Sequence, residues 1–330
     1  MDALVSQLKA LAEHTRLRIV ALLDRGELTV SELVQVLGQS QPRVSRHLKL
    51  LTDSGLAERQ PEGAFVFYRL AENGSGRRLA KLISVLVPQD DPVLTGDLAR
   101  LAVVKRARTE AAEAYFERAA EDWSKIRELH LSEDEVEAAM REAAGSGPFD
   151  LMIDVGVGAG RVLEVFADRV SRGVGVDINH SMLNVARMNL ERAGLEQCSV
   201  RQADVCALPF EDEAADLVTV HQVLHYLGDP APAIAECARV LKPGGVLLIV
   251  DFAPHQLEFL RADHSHRKLG FADAEMADWI EAAGLAMSRR SALHSDENQS
   301  GRLTVKIWTA RREPARAPEP KAASRSAASS

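Results

Sequence analysis

The sequence predicts an α/β chain in two parts: a small, mostly helical N-terminal unit and a larger doubly wound parallel sheet. Three observations lead there. From Phe149 onward short apolar runs alternate with helix-periodic stretches, the order that builds a parallel sheet with helices on both faces. Residues 1–87 instead keep helical spacing until a hairpin closes them. The charge divides at the same place, with 12 Lys and Arg against 9 Asp and Glu in residues 1–87, and 25 against 37 in residues 88–312. Only the first part is therefore suited to approach a polyanion, although the whole chain carries −8. A length of 330 residues exceeds one core, and 46% hydrophobic residues can fill two. No apolar stretch reaches the roughly 18 residues of a bilayer span, and charges stand throughout the N-terminus, so a cytoplasmic protein is expected. Cys198, Cys206 and Cys237 form no CxxC pair and are expected to be reduced core residues.

Taking the elements in order, Leu4, Leu8, Leu11, Ile19 and Leu22 recur at helical spacing with a break near His14 and Thr15, which predicts two helices. "TVSELVQVLG" opens on Thr29 and Glu32, a capping-box pair, and closes on Gly38. "SQPRVSRHLKLL" starts a second helix with Ser40 as N-cap and Pro42 in the first turn. Val44, Leu48 and Leu51 face inward on it, so Gln41, Arg43, Ser45, Arg46 and Lys49 point out. A helix, a tight turn and a second helix carrying such side chains is the arrangement that reads a DNA major groove. "LAERQPEGAFVFYRL" follows as two strands around a Pro-Glu-Gly turn, a wing whose Arg59 and Arg69 would flank the phosphate backbone.

These residues, with "EHTRLRIVALL", resemble the winged helix-turn-helix of the ArsR/SmtB repressors over residues 1 to about 87. The resemblance implies a homodimer on double-stranded operator DNA, with Leu79, Leu82, Ile83 and Leu86 of "RRLAKLISVLV" on the dimer helix. The family's metal sensors carry ELCVCDL where this chain reads "ELTVSEL", so Thr29 and Ser31 replace the thiolates. Hydroxyls bind soft metals poorly. No metal is expected, and the protein needs another input.

Residues 88–100 read as a linker at Pro88, Pro92 and Gly96, and a helical stretch continues through residue 145 with Tyr115, Phe116 and Trp123 on one side, read as packing. Residues 146–312 then form the sheet domain, and the Pro/Ala/Ser-rich tail 313–330 is expected to be disordered. In such sheets ligands bind beyond the carboxyl ends of the strands. Asp154 ends the first strand, and Gly156, Gly158 and Gly160 follow as D-x-G-x-G-x-G. A dinucleotide fingerprint needs its third glycine where Arg161 stands, so a compact ligand fits better than a pyrophosphate. Asp177 at the second strand end is placed for the hydroxyls of a ribose, and Asp204 at the third for an adenine amino group.

"IDVGVGAGR", "GVGVDINHSML", "QADVCALPF", "ADLVTVHQVLHY" and "RVLKPGGVLLIVDF" are similar to the successive motifs of class I S-adenosylmethionine-dependent methyltransferases, above all those of ubiquinone biosynthesis. That likeness covers residues 115 to about 285 and implies a Rossmann-like sheet. It also implies that Asp154, Gly156, Gly158 and Gly160 line the methionine side, Asp177 holds the ribose, Ile178 and Met182 lie near the adenine, Asp204 and Val205 meet its amino edge, and His221 follows strand four. Val157 and Ala159 depart mildly from the family turn, where small or hydroxyl residues are common.

Histidines gather after strands four and five, at His221, His225, His255, His264 and His266. With His225, Asp251 and His255 as a methyl-acceptor pocket, one histidine could take a proton from the acceptor. Two readings stay open. The chain is a repressor whose second domain senses S-adenosylmethionine or S-adenosylhomocysteine, or it is an active methyltransferase that regulates its own synthesis. Both use the same binding residues.

Overall fold

The structure is a computed structural model that describes residues 1–62, 65–71, 74–88, 90–127, 132–264, 266–293 and 303–313. Helices α1 (Asp2–Leu11) and α2 (His14–Leu23) precede a short strand β1 (Leu28–Thr29), α3 (Val30–Leu37) and α4 (Gln41–Asp53). The capping box forms: Thr29 Oγ1 accepts from the Glu32 amide at 3.2 Å, and the Glu32 carboxylate accepts from the Thr29 amide at 2.7 Å. Gly38 closes α3 at φ +64°, a left-handed turn that costs glycine nothing. Ser40 stands at the N-cap of α4, but its side chain makes no capping bond. Hairpin β2 (Ala57–Glu62) and β3 (Phe65–Leu70) completes a three-stranded sheet with β1. Pro61 and Glu62, expected in a Pro-Glu-Gly turn, belong to β2, and residues 63–64 lie outside the described ones. Ile19, Leu28, Leu33, Val44, Leu48, Leu51 and Leu56 are fully buried in one core. The inward face of α4 is thus as its spacing predicts.

The expected linker is largely helix. After α5 (Gly74–Leu86) the chain enters α6 (Pro92–Arg127), because the Asp91 carboxylate caps the amides of Val93 and Leu94 at 2.9 Å and Pro92 costs no donor in the first turn. Leu101 and Val104 of α6 enter the N-terminal core, and Ala112 packs on Val185 and Met188 of the second domain. Asp97, fully buried, accepts from Arg18 and Arg100 at 2.5 Å. Of the three aromatics, Tyr115 is described, while the Phe116 and Trp123 side chains lie outside the described residues.

Beyond α7 (Glu133–Ala144), a seven-stranded sheet forms from β4 (Phe149–Val155), β5 (Val170–Asp177), β6 (Cys198–Gln202), β7 (Ala215–His221), β8 (Leu241–Phe252), β9 (Leu285–Leu293) and β10 (Val305–Arg312), in the order β6-β5-β4-β7-β8-β10-β9. Strands β4 to β8 are parallel; β10 and β9 add antiparallel strands that the repeating pattern does not predict. Helices α8 (Arg161–Phe166), α9 (His180–Arg192), α10 (Ala231–Val240), α11 (Phe259–His264) and α12 (Asp273–Ala282) complete the domain, whose sheet carries a buried apolar core on each face. Cys237 is core; Cys198 and Cys206 are half-buried, and all three are free. Among the described residues no helix is long and apolar enough to cross a membrane. The tail expected to be disordered lies outside the described residues from 314 onward.

Candidate functional site

The turn after β4 is built by its glycines, which serve different ends. Gly156, Gly158 and Gly160 take φ +77°, +50° and +89°, a region that costs other L-residues on the order of 1 kcal/mol or more. A Cβ on Gly156 would stand 2.2 Å from Val223 Cγ2, and one on Gly160 would press Ala186 at 3.3 Å. At Gly158 the nearest atom is the Met182 methyl at 3.8 Å. Two glycines therefore let the protein pack against itself, whereas at Gly158 a side chain would make only an ordinary contact with the Met182 methyl. The Gly156 and Val157 amides donate to the Val176 carbonyl at 2.8 and 2.9 Å, tying the turn to β5.

Asp177, the last residue of β5, accepts from the Gly158 amide at 3.0 Å and the Asn179 amide at 2.8 Å. Asn179 caps α9, accepting from Ser181 and Met182, and donates to the Tyr115 hydroxyl at 2.8 Å. Tyr115 also packs, as expected, against the cluster of Ala112, Val185 and Met188. Ile178 beside it is 68% exposed, an apolar side chain held at the rim of the crevice. Asp204 lies two residues beyond β6, where its carboxylate accepts from the Cys206 amide at 2.9 Å. Val205 packs against the core under it.

Asp154 is buried at the end of β4 and accepts from the Thr219 hydroxyl at 2.6 Å, while its other oxygen has no partner. Burial pushes this carboxyl up to about 7, Thr219 pulling it down and Asp177 adding to the rise. His221 ends β7, and burial pushes its imidazole down to about 4. His225 Nδ1 lies 2.8 Å from the Asp251 carboxylate, both buried. Its ring packs against those of Tyr226 and His266, at 4.2 and 4.1 Å between centroids. His255 does not bond the pair; its Nδ1 accepts from the Leu257 amide at 3.3 Å. The His264 side chain lies outside the described residues. The expected trio is thus a bonded pair with a neighbour. Among the described residues no group of His, Cys, Asp and Glu is arranged to hold a metal.

Sequence reasoning missed Val223, which fills the space over Gly156, and Gln222, held at φ +55° between it and β7. Only the contact across the crevice shows the role of Val223, and no local pattern encodes it.

On the N-terminal unit, Gln41, Arg43, Arg46 and Lys49 are exposed along α4, and Ser45 is half-buried. Arg59 is exposed on β2. Arg69 departs from the expected phosphate contact: it is held against Glu58 at 3.1 Å and donates to Ser199 of β6 at 3.3 Å. The hairpin lies on the second domain, which removes this side chain from solvent.

A parallel sheet with a glycine turn on strand one, and carboxylates after strands one, two and three, defines an adenosyl-binding α/β domain of the methyltransferase class. Residues 153–249 match the model of the methyltransferase domain, and residues 13–59 match that of the bacterial regulatory proteins of the arsR family. The ubiquinone biosynthesis O-methyltransferase of Acinetobacter baylyi is 30% identical over 216 residues, 60% of this chain and 88% of that protein. A ubiquinone/menaquinone biosynthesis C-methyltransferase of a Shewanella species is 36% identical over 124 residues, 36% of this chain, which spans about half that relative (49%). Among solved structures, the YcgJ protein of Bacillus subtilis overlays with a TM-score of 0.47 at 23% identity, over 55% of this chain and 100% of that one. The chain belongs to the S-adenosylmethionine-dependent methyltransferases and carries an arsR-family helix-turn-helix ahead of that domain. The glycine turn, the partnerless Asp154 oxygen and exposed Ile178 fit S-adenosylmethionine or S-adenosylhomocysteine, the ligand of this class.

Proposed function

We propose that the protein is a transcriptional regulator, a repressor, that binds operator DNA through α4 and senses S-adenosylmethionine or S-adenosylhomocysteine in its second domain. One observation carries this reading. Thr29, which stands where the metal sensors hold a thiolate, is committed to capping α3, so the input must enter elsewhere, and the adenosyl site is the candidate. Exposed Gln41, Arg43, Arg46 and Lys49, with Ser45 among them, supply base and phosphate contacts, and Arg59 a backbone contact. Of the residues expected on the dimer helix, Leu79 and Ile83 pack on the N-terminal core, while Leu82 and Leu86, with Val85 on α5 and Leu4 and Leu8 on α1, are left in solvent and support a homodimer. The test is titration of the DNA upstream of its own gene with each nucleotide at fixed salt, since phosphate contacts make affinity steeply salt-dependent. A tenfold change, about 1.4 kcal/mol, is expected; no change with either nucleotide rejects the sensor.

In the site, Asp177 holds the ribose hydroxyls, Ile178 and Met182 bracket the adenine, and Asp204 with Val205 meets its amino edge. Asp154, the glycine turn and His221 face the methionine end. The ligand's ammonium favours ionised Asp154, whose carboxyl sits at about 7 when buried. Nucleotide affinity therefore rises with pH, about tenfold between pH 6 and 8, by the ionised fraction of such a group. Calorimetric titration of Asp154→Asn should show that slope flattened. In the free protein the sign is opposite: a raised carboxyl stabilises the fold below its ordinary value near 3.8, and that increment is lost as pH passes 7.

The second reading, methyl transfer, is favoured by the buried His225–Asp251 pair beside the crevice. When bound, S-adenosylmethionine supplies a methyl group on a sulfonium. Asp251 orients the His225 ring, and His255 lies beside it as a further polar wall. Replacing His225, Asp251 and His255 together with alanine is expected to lower any methyl transfer at least 100-fold while S-adenosylhomocysteine still binds. Unchanged transfer would sink the acceptor pocket.

A further inference from the structure

The hairpin of the DNA-binding unit is fastened to the helix that seats the adenosyl site. Arg187 of α9 is 5% exposed, and its guanidinium bonds both Glu27, next to β1, and Glu62, at the end of β2. The same guanidinium lies 4.1 Å from the centroid of the Phe67 ring. His180, the first residue of α9, stacks on Phe65 with centroids 4.5 Å apart and planes 9° off parallel. Arg69 adds its bond to Ser199. Every one of these contacts crosses between the domains.

α9 is also part of the ligand site. Its cap, Asn179, bonds Asp177; its Met182 lies beside Gly158; its Ala186 underlies Gly160; and Asn189 donates to the Ala159 carbonyl at 2.9 Å. One short helix therefore has the glycine turn on one face and the hairpin on the other. A buried ion pair adds little net stability once desolvation is counted, yet it decides which surfaces meet. Burial pushes Glu62 up to about 7, Arg187 pulling it down and Glu27 adding to the rise, so an uncharged side chain of the same shape suits that place.

We infer that the hairpin docked on α9 is an autoinhibitory latch, which holds Arg69 away from the DNA backbone and which the adenosyl ligand tightens. The tightening follows because ligand and hairpin order the same segment, from Asp177 at the end of β5 to Met182 in the first turn of α9. A ligand that favours the docked state must then lower DNA affinity, and DNA must lower nucleotide affinity by the same factor. This rests on the proposed sensor reading for its ligand arm, while the inhibition stands on the contacts alone.

The experiment measures dissociation constants for the upstream DNA fragment, with and without saturating S-adenosylhomocysteine, at fixed salt, in the full chain and three variants. His180→Ala removes the stack from the side that does not face DNA and is expected to bind DNA at least fivefold tighter without nucleotide. Its response to S-adenosylhomocysteine should fall from about tenfold to under twofold. Phe65→Ala should move DNA affinity in the same direction. Glu62→Gln, which keeps the shape of the contact, should stay within twofold of the parent. Melting curves confirm that each variant is folded, which matters because Arg187→Ala would strand two glutamates. DNA affinity unchanged or weaker in both His180→Ala and Phe65→Ala overturns the latch. If the parent ignores the nucleotide while His180→Ala still tightens DNA, the latch stands and the sensor reading falls. If the parent responds and His180→Ala responds equally, the tightening by ligand is overturned and the coupling runs elsewhere.

Discussion

Asp177→Ala is expected to weaken S-adenosylhomocysteine binding by roughly 100- to 1,000-fold while leaving the protein folded. The carboxylate would accept from two ribose hydroxyls, and hydrogen bonds to a charged group contribute about 1.5–3 kcal/mol each. Asp177 also accepts from the Gly158 and Asn179 amides, so its loss loosens both walls of the crevice. Calorimetric titration measures the effect, and a loss smaller than tenfold would remove Asp177 from the site. The glycines sharpen the comparison. Alanine at Gly156 runs into Val223 at 2.2 Å and should lower the melting temperature, whereas alanine at Gly158 meets only the Met182 methyl. Beyond the modest strain of its backbone, Gly158→Ala should act mainly on the ligand.

Arg43→Ala with Arg46→Ala is expected to reduce operator affinity by about 100-fold or more, without changing nucleotide affinity in the absence of DNA. Each good bidentate pairing of an arginine with a base is worth about 1–3 kcal/mol. Both side chains are exposed on α4, and Val44 and Leu48 beside them are fully buried, so the substitutions take away DNA-binding groups and no packing. Fluorescence anisotropy at several salt concentrations checks the result. Where an arginine neutralises a phosphate, its removal should lower the salt slope by about one. Retained affinity with an unchanged slope would show that α4 is not the reading helix.

The helix-turn-helix was legible because its signals are local. The Thr29–Glu32 box, Gly38 at a left-handed turn and the spacing of Val44, Leu48 and Leu51 each act within a few residues, and each appears in the fold as its chemistry dictates. The parallel half of the sheet was legible for a similar reason, since a buried strand and an amphipathic helix have different periods. The expected linker failed on one side chain. Pro92 and Gly96 look like breakers, but Asp91 caps a helix that starts at Pro92, and Leu94, Leu98 and Leu101 carry it into the core. The antiparallel pair β9 and β10 escaped notice because it closes the sheet outside the repeating pattern.

By itself the sequence determined the two domain types, the identity of the carboxylates at the strand ends and the outward face of α4. Hydrophobic period, capping chemistry and strand-end position are properties of neighbouring residues, and they act before the chain folds. Only the tertiary structure decided that Gly156 and Gly160 serve packing while Gly158 meets only the Met182 methyl, that His225 pairs with Asp251 without His255, and that Arg69 turns from DNA toward Ser199. It also decided that Arg187 joins Glu27 and Glu62, partners 160 and 125 positions away in the chain. Those outcomes depend on which distant surfaces come to exclude the same water, and burial then sets the bonds and charges each side chain can keep.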